Sequence, residues 1–323
     1  MGRSLDVIIV NWNAGEQLRQ CLEAIAATKR RDVDLRSIVV VDNGSSDSSL
    51  EGIDRIRLPT RIVLNNSNRG FAAACNQGAK DSTADYLLFL NPDTRVQRNA
   101  LTDPIQFMEK EENERIGVLG IQLVDERGRV TRTCARFPTV GRFVAKMIGL
   151  DRALPKLFPP HFMTEWDHAD SRAVDQVMGA YFLIRCSLFK ELGGFDERFF
   201  VYFEEVDLTV RARRKGWSTF YLSNVQTYHR GGGVTEQVKA RRLFYSLRSR
   251  VLYGYKHFGR WKGTLLMLTT LFIEPFSRLT RAAARRSPAE LVQTVHAYAL
   301  LWRALPRAIA RSQGVIVGQR TRS

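Results

Sequence analysis

Four groups of residues in this sequence have the types and spacing that chemistry requires. Glu204, Glu205 and Asp207 stand within Phe199-Phe-Val-Tyr-Phe-Glu-Glu-Val-Asp-Leu208, wedged between aromatic and aliphatic side chains. Acids at a helix start are favoured by the macrodipole whatever their function. An acid held against an apolar wall beside a like charge also has its pKa raised, which suits a general base. Neighbouring helical side chains point about 100° apart, so Glu204 and Glu205 can have separate tasks. Asp93 closes the triplet Asn91-Pro-Asp93, directly after an apolar run. Such a triplet caps helices, or its carboxylate holds a divalent ion against a diphosphate. Mg²⁺ and Mn²⁺ want oxygen ligands, with phosphate and water supplying most of them. Asp42 follows three valines and opens Gly44-Ser-Ser. It forms an Asx turn there, or accepts the N–H of a uracil-type base. His229 precedes Gly231-Gly-Gly233. A lone histidine is most often structural, but backbone without Cβ atoms approaches a phosphate closely.

These residues need a frame, and the first 110 residues supply one. Residues 5–10, 37–41, 61–64 and 86–90 are short apolar, β-branched-rich runs, as expected of strands buried on both faces. Between them, Leu18, Cys21, Leu22 and Ile25 form a helical stripe with Asn13 as its expected N-cap. Residues 71–80 and 99–112 are the next helix candidates. The alternation predicts a parallel, right-handed, doubly wound sheet, in which ligands bind beyond the carboxyl ends of the strands. Polar residues follow every strand there: Asn11 and Asn13, Asp42, Asn68 and Arg69, then Asn91. No GxGxxG follows the first strand and no GxxxxGK[ST] occurs, which argues against dinucleotide and P-loop folds. Beyond residue 113 the pattern becomes α+β. A hairpin is expected around Asp125-Glu-Arg-Gly128, an irregular excursion over 137–172 and a long strand over 173–185. A helix is expected from Glu204 to Lys215, then two strands ending at His229.

Composition bounds the class. With 323 residues, 44% hydrophobic and 25% charged, the chain is globular rather than disordered or fibrous. The formal charge of +16 is unevenly spread. Residues 236–323 carry 17 Lys and Arg against three acids, a net of +14. A block of this kind meets phosphate on nucleic acid, anionic lipid or a phosphorylated ligand. Cys21, Cys75, Cys134 and Cys186 are too widely spaced for a zinc knuckle or a disulfide framework. No stretch approaches the roughly 20 apolar residues of a membrane span, and the N-terminus has no signal-peptide core. A reduced, cytoplasmic protein is expected.

In order and spacing, six segments resemble glycosyltransferase family 2, and within it the bacterial rhamnosyltransferase-like members. They are Val7-Ile-Ile-Val-Asn-Trp-Asn13, Val39-Val-Val-Asp-Asn-Gly-Ser-Ser-Asp47, Asn68-Arg-Gly-Phe-Ala-Ala-Ala-Cys-Asn76 and Leu88-Phe-Leu-Asn-Pro-Asp93, followed by the segment from Gly194 to Leu208 and by His229. The resemblance implies an α/β fold of GT-A type: a doubly wound, mostly parallel sheet with a fused acceptor-binding half and a basic α-helical C-terminal extension. The expected domains are 1–235, divided into a nucleotide-sugar half (1–112) and an acceptor half (113–235), and a helical region, 236–323. Carried over residue by residue, Asp42 contacts the donor base and Asn91-Pro-Asp93 is a variant DXD motif with Asn91 in place of an acid. Asn11, Asn13, Asn68, Arg69 and Asn76 join Asp42 and Asn91 as donor contacts. Glu205 stands where the family usually has Asp as catalytic base, with Glu204 and Asp207 as supporting acids. Asp93 and His229 are the expected ligands of a divalent cation, Mg or Mn.

The implied reaction is an inverting single displacement from a nucleotide sugar, with dTDP-rhamnose favoured over UDP- or GDP-sugars. The acceptor would be a hydroxyl of a cell-surface polysaccharide or a lipid-linked glycan. In the tail, charged residues flank apolar stretches too short to span a bilayer, a pattern of helices lying in a membrane interface. An anionic membrane contact through residues 239–311 is therefore expected, with the enzyme peripheral at the inner face of the cell membrane. The same stretches would equally suit packing on the catalytic body. A nucleic-acid-binding protein is the rival class, but the tail lacks RNP-like aromatics, zinc ligands and a helix-turn-helix signature. A catalytically dead scaffold is disfavoured by the acids at positions 93 and 205.

Overall fold

A computed structural model describes residues 2–231 and 239–312, with side chains as far as Leu305. Gly232 and Gly233 of the expected glycine run lie outside the described residues. The chain forms two compact units. The first comprises residues 1–137, 162–197 and 204–234; the second comprises 138–161, 198–203 and 235–323. The excursion after residue 137 thus belongs with the C-terminal helices, which a single boundary at 235 does not express.

The first unit begins β1 (Arg3–Asn11), α1 (Glu16–Ala26), β2 (Val33–Asp42), β3 (Thr60–Leu64), α2 (Phe71–Ala79), β4 (Tyr86–Leu90), β5 (Thr94–Val96), α3 (Asp103–Met108) and β6 (Ile116–Val124). Strand β1 is central, and its side chains alternate between two cores. Leu5, Val7 and Ile9 pack with the α1 stripe Leu18, Cys21, Leu22 and Ile25. Ile8 and Val10 pack with Ala72, Ala74 and Cys75 of α2. Both faces are covered, which is why the strand reads as a continuous apolar run. Helix α1 starts at Glu16 behind Gly15, and no side chain caps it. Asn13 adopts φ 51° and faces another loop, so the expected N-cap is corrected.

After α4 (Val140–Ile148) and α5 (Leu150–Ala153), which belong to the second unit, the sheet resumes. It continues with β7 (Arg172–Val174), β8 (Tyr181–Arg185), α6 (Cys186–Glu191), α7 (Glu204–Arg214) and β9 (Ser218–His229). The nine strands form one mixed sheet in the order β3-β2-β1-β4-β8-β6-β9-β5, with β7 on β9. The first four are parallel as expected. Strand β8 then runs antiparallel to both β4 and β6. The long strand expected over 173–185 is two strands, because β7 pairs with β9 whereas β8 inserts beside β4. The two strands expected before His229 are one, with an irregular register between Leu222 and Gln226. The hairpin at Asp125 keeps its turn, but its return arm shrinks to a bridge between Val124 and Val130. The helix expected over 99–112 covers only α3.

In the second unit, α8 (Lys239–Leu268), a π-helical turn (Thr269–Ile273) and α9 (Glu274–Ala284) pack with α4, and α10 (Pro288–Ser312) packs on α8 and α9. Helix α8 breaks at Gly259, whose φ of 80° only glycine adopts readily. The chain folds back there, so that a Cβ on Gly263 would meet the Tyr255 backbone at 3.0 Å. Glu274 is buried and accepts from Arg250 at 2.6 Å and from Arg278 at 2.7 Å. Residues 198–203 lie on α8 through Phe200 stacked on Tyr245 and Ser249 Oγ donating to the Val201 carbonyl at 2.9 Å.

Helix α2 packs tightly on the sheet at Gly78, where a Cβ would come 2.7 Å from Ile8 Cγ2 and 3.1 Å from Val41 Cγ2. Gly78→Val is therefore expected to cost about 1–3 kcal/mol through overpacking, read as a lower urea midpoint at unchanged slope. An unchanged midpoint would show that α2 does not rest on β1 at this position.

Candidate active site

The carboxyl ends of β1 and β2 are tied together by polar side chains. Asn11 Nδ2 donates to Asp42 Oδ1 at 2.7 Å and to Ser49 Oγ at 2.7 Å. Ser45 donates to Asp42 through its hydroxyl at 2.6 Å and its backbone N–H at 3.0 Å. A carboxylate has about four lone-pair positions, and three are used here. One remains on Oδ2, so Asp42 both builds the loop and keeps a single acceptor position. Asn13 Oδ1 accepts the Ser46 N–H at 2.8 Å, which explains its left-handed backbone.

Next along the rim, Asn43 organises the loop after β3, a role that sequence reasoning missed. Its Oδ1 accepts from the Arg69 N–H at 3.0 Å and from Asn65, while its Nδ2 reaches Asn68 Oδ1 at 3.0 Å. The Asp-Asn-Gly triplet was the available signal, since Asx side chains commonly bond nearby backbone. Asn68 and Arg69 thus lie at the rim, as expected of strand-end residues. Asn76 has a different task from the donor contact expected of it. Its amide both donates to and accepts from the Phe195 backbone, at 2.8 Å and 2.9 Å, clamping α2 to the turn after α6.

The triplet Asn91-Pro-Asp93 leaves the end of β4 and turns into β5. The Asn91 N–H donates to the Ala180 carbonyl at 3.0 Å, and the Asn91 carbonyl accepts from Thr94 Oγ1 at 2.7 Å. Strand β5 pairs Thr94 with His229 of β9. His229 Nε2 consequently lies 3.4 Å from Asp93 Oδ1, with only about a tenth of each side chain exposed. Among the described residues no group of three or more His, Cys, Asp or Glu is placed to hold a metal ion. One carboxylate and one imidazole nonetheless fit a divalent ion whose other ligands are diphosphate oxygens and water. A cation held entirely by protein does not fit here.

Across the same rim, α7 brings the acid cluster. Glu204 is buried, Glu205 half-buried, and the Oε2 atom of each is sealed from water without a hydrogen-bond partner. Burial pushes both carboxyls up, and the neighbouring Glu205 charge pushes Glu204 further, well above the usual carboxylate range. The Glu205 carboxyl packs against Gly179, where a Cβ would lie 4.0 Å from Cδ. Gly179 precedes the Ala180 whose carbonyl holds Asn91, so Glu205 and the Asp93 turn share one supporting segment. Tyr202 and Phe203, directly before Glu204, have φ of 67° and 73°, a strained backbone of the sort found at functional sites.

Asp207 does not join Glu205 as a supporting acid. It is fully buried and bonds Arg211 Nε at 2.8 Å, while Arg211 donates to the Leu192 and Gly194 carbonyls at 2.6 Å and 2.8 Å. The pair braces the turn after α6. Its i, i+4 spacing was readable in the sequence as a helical ion pair.

Residues 6–193, more than half of the chain, match Glycosyl transferase family 2, and the chain belongs to that family. It is 25% identical over 317 residues to the N-acetylglucosaminyl-diphospho-decaprenol L-rhamnosyltransferase of Mycobacterium tuberculosis (strain ATCC 25618 / H37Rv), covering 90% of this chain and 99% of that protein. It is 26% identical over 235 residues to rhamnosyltransferase WbbL of Escherichia coli (strain K12), covering 69% of this chain and 82% of that one. Mannosyltransferase PcManGT from Pyrobaculum calidifontis, solved in complex with GDP-Man and Mn2+, aligns with a TM-score of 0.55 at 15% identity, covering 98% of this chain and 86% of that one. S. aureus TarS 1-349 in complex with UDP-GlcNAc aligns with a TM-score of 0.53 at 17% identity, covering 97% and 84%. The mixed sheet with its helices is thus of GT-A type, and the protein is a glycosyltransferase.

A carboxyl whose pKa is raised by folding holds a proton that the unfolded chain has already released, so folding stability falls as pH rises above the unfolded value of 4.5. Melting temperatures are therefore expected to decline as pH rises above about 5, and Glu204→Gln is expected to flatten that decline. A variant that loses stability equally at both ends would show that Glu204 is ionised in the folded protein.

Proposed function

We propose that the chain is an inverting glycosyltransferase that moves rhamnose from dTDP-rhamnose to a hydroxyl of a cell-envelope glycan, with a lipid-linked glycan as the favoured acceptor. The observation that carries this reading is the Gly179-Ala180 segment. It places a carboxyl of raised pKa on one side and, through Asn91, the Asp93 and His229 pair on the other. A transferase must bring together the same two tasks, proton removal and diphosphate handling. The relatives named rhamnosyltransferases support the sugar.

In this mechanism Glu205 accepts the acceptor hydroxyl's proton on a carboxylate oxygen as the hydroxyl oxygen attacks the anomeric carbon. Its poor solvation keeps the base strong at neutral pH. Glu204, held protonated beside it by burial and by the Glu205 charge, leaves Glu205 as the carboxylate of the pair. The donor base contacts the free acceptor position of Asp42, and Asn11, Asn13, Asn68 and Arg69 line the same strand ends. Asp93 and His229 would hold the divalent cation, Mg or Mn. When bound it supplies positive charge to the departing diphosphate. The second unit, in the same reading, keeps the enzyme peripheral at the inner face of the cell membrane, beside its acceptor.

Two measurements test the reading. Glu205→Gln is expected to lower turnover about 10²–10⁴-fold with donor affinity nearly unchanged. Full turnover in that variant would move the base elsewhere. A thermal-shift screen should show dTDP-rhamnose stabilising the protein more with Mg²⁺ or Mn²⁺ than with EDTA, and Asp93→Asn should abolish the difference. Stronger stabilisation by a UDP- or GDP-sugar would overturn the donor assignment and keep the chemistry.

A further inference from the structure

The second unit exposes apolar side chains in a pattern that packing within the chain does not explain. After the break at Gly259, Trp261, Leu265, Leu268, Phe272 and Phe276 recur at spacings of three and four, so they share one helical face. All five are exposed, Trp261 by 91% and Phe276 by 70%. Helix α10 repeats the pattern with Val292, Val295 and Trp302, again exposed. The two stripes meet where Phe272 and Trp302 pack edge-on, their ring centroids 5.8 Å apart. One continuous apolar surface results, and among the described residues no helix is long and apolar enough to cross a bilayer.

Charge indicates what covers it. Arg260 and Lys262 stand exposed at the start of the first stripe, Arg285 and Arg286 beyond its far end, and Arg303 beside Trp302. In the described part of α8 to α10 the acids are Glu274 and Glu290, each paired with arginine. Arg281 is half-buried, and desolvation together with the Arg278, Arg152 and Arg285 charges pushes its guanidinium down. A protein partner would need acids grouped around an apolar ridge, whereas an anionic bilayer surface presents phosphates above hydrocarbon everywhere.

We infer that the second unit docks flat on an anionic bilayer, with the joined stripes of α8–α9 and α10 entering the acyl boundary and the flanking arginines and lysines meeting lipid phosphates. This deepens the peripheral-membrane part of the proposed function and is independent of the catalytic assignments. Aromatic rings at both stripes favour the interfacial depth, and long cationic side chains reach from there to the headgroups. The bilayer contact is thereby assigned to particular faces rather than to net charge.

The test uses the full chain and sucrose-loaded vesicles of phosphatidylglycerol and phosphatidylcholine in equal parts, in about 0.1 M salt, near one Debye length of 10 Å. The protein is expected to sediment with these vesicles and to bind pure phosphatidylcholine vesicles at least about tenfold more weakly. The exposed substitutions Trp261→Ser and Phe276→Ser together should reduce sedimentation about tenfold while leaving every positive charge in place. Circular dichroism checks that the helices persist, and Trp302→Ser offers a second variant should the first pair unfold. Protein that stays in the supernatant overturns the inference, as does equal sedimentation of the variants. So does a concentration-dependent dimer that the same substitutions dissociate without altering vesicle binding, since the face would then be a contact with a second copy. Donor-induced thermal stabilisation, measured on the same samples, reports separately on the catalytic reading.

Discussion

The antiparallel seat of β8 against β4 is the constraint on which the site depends. Leu90 pairs with Tyr181, so the chain entering β8 passes the carboxyl end of β4 rather than the opposite end. Ala180 can then accept the Asn91 N–H, and Gly179 leaves room for the Glu205 carboxyl. A parallel β8 would put those residues at the far edge of the sheet. Backbone hydrogen bonds of this buried strand pair set the register, and a slip of one residue would exchange the side chains packed in the two cores. Glu205 and the Asp93 turn are therefore brought to one end of the sheet by its strand pairing.

The two sides of the rim differ in how their polar groups are satisfied. Around Asp42, Asn11, Ser45 and Ser49 bond one another, and such networks rigidify a loop. At Glu204 and Glu205 each Oε2 is buried without a partner. Leaving such a group unsatisfied costs about 1–3 kcal/mol, and an uncharged residue of similar shape would avoid that cost. Strain accompanies it in the left-handed backbone of Tyr202 and Phe203. The Asp42 side is thus built for order, whereas the acid side holds carboxyls with unsatisfied oxygens.

The second unit handles charge in two ways. Glu274, nearly removed from water, is bracketed by Arg250 and Arg278, and this triad locks α9 to α8. A buried acid with two arginines needs both, because either alone leaves charge or lone pairs uncompensated. Arg260, Lys262, Arg286 and Arg303, by contrast, stand exposed near the ends of the helical faces. Among the described residues, the second unit thus has basic side chains in two settings, one buried and architectural, the other exposed beside the apolar faces.

Local pattern settled much of this protein. Continuous apolar runs marked β1, β2 and β4, the stripe Leu18, Cys21, Leu22 and Ile25 marked α1, and polar residues at the strand ends marked the rim. Those signals are local because burial on both faces, or on one helical face, is written into residue spacing of two or 3.6. Pairing beyond β4 was not legible, since an antiparallel insertion depends on contacts between residues far apart in sequence. The same holds for individual side chains. Asp207 and Glu205 look alike on the page, yet one faces Arg211 and the other Gly179; Asn76 and Asn68 both belong to a motif, yet one clamps Phe195. Candidate chemistry came from residue type, whereas which of these side chains brace the fold came from the neighbours that folding set against them.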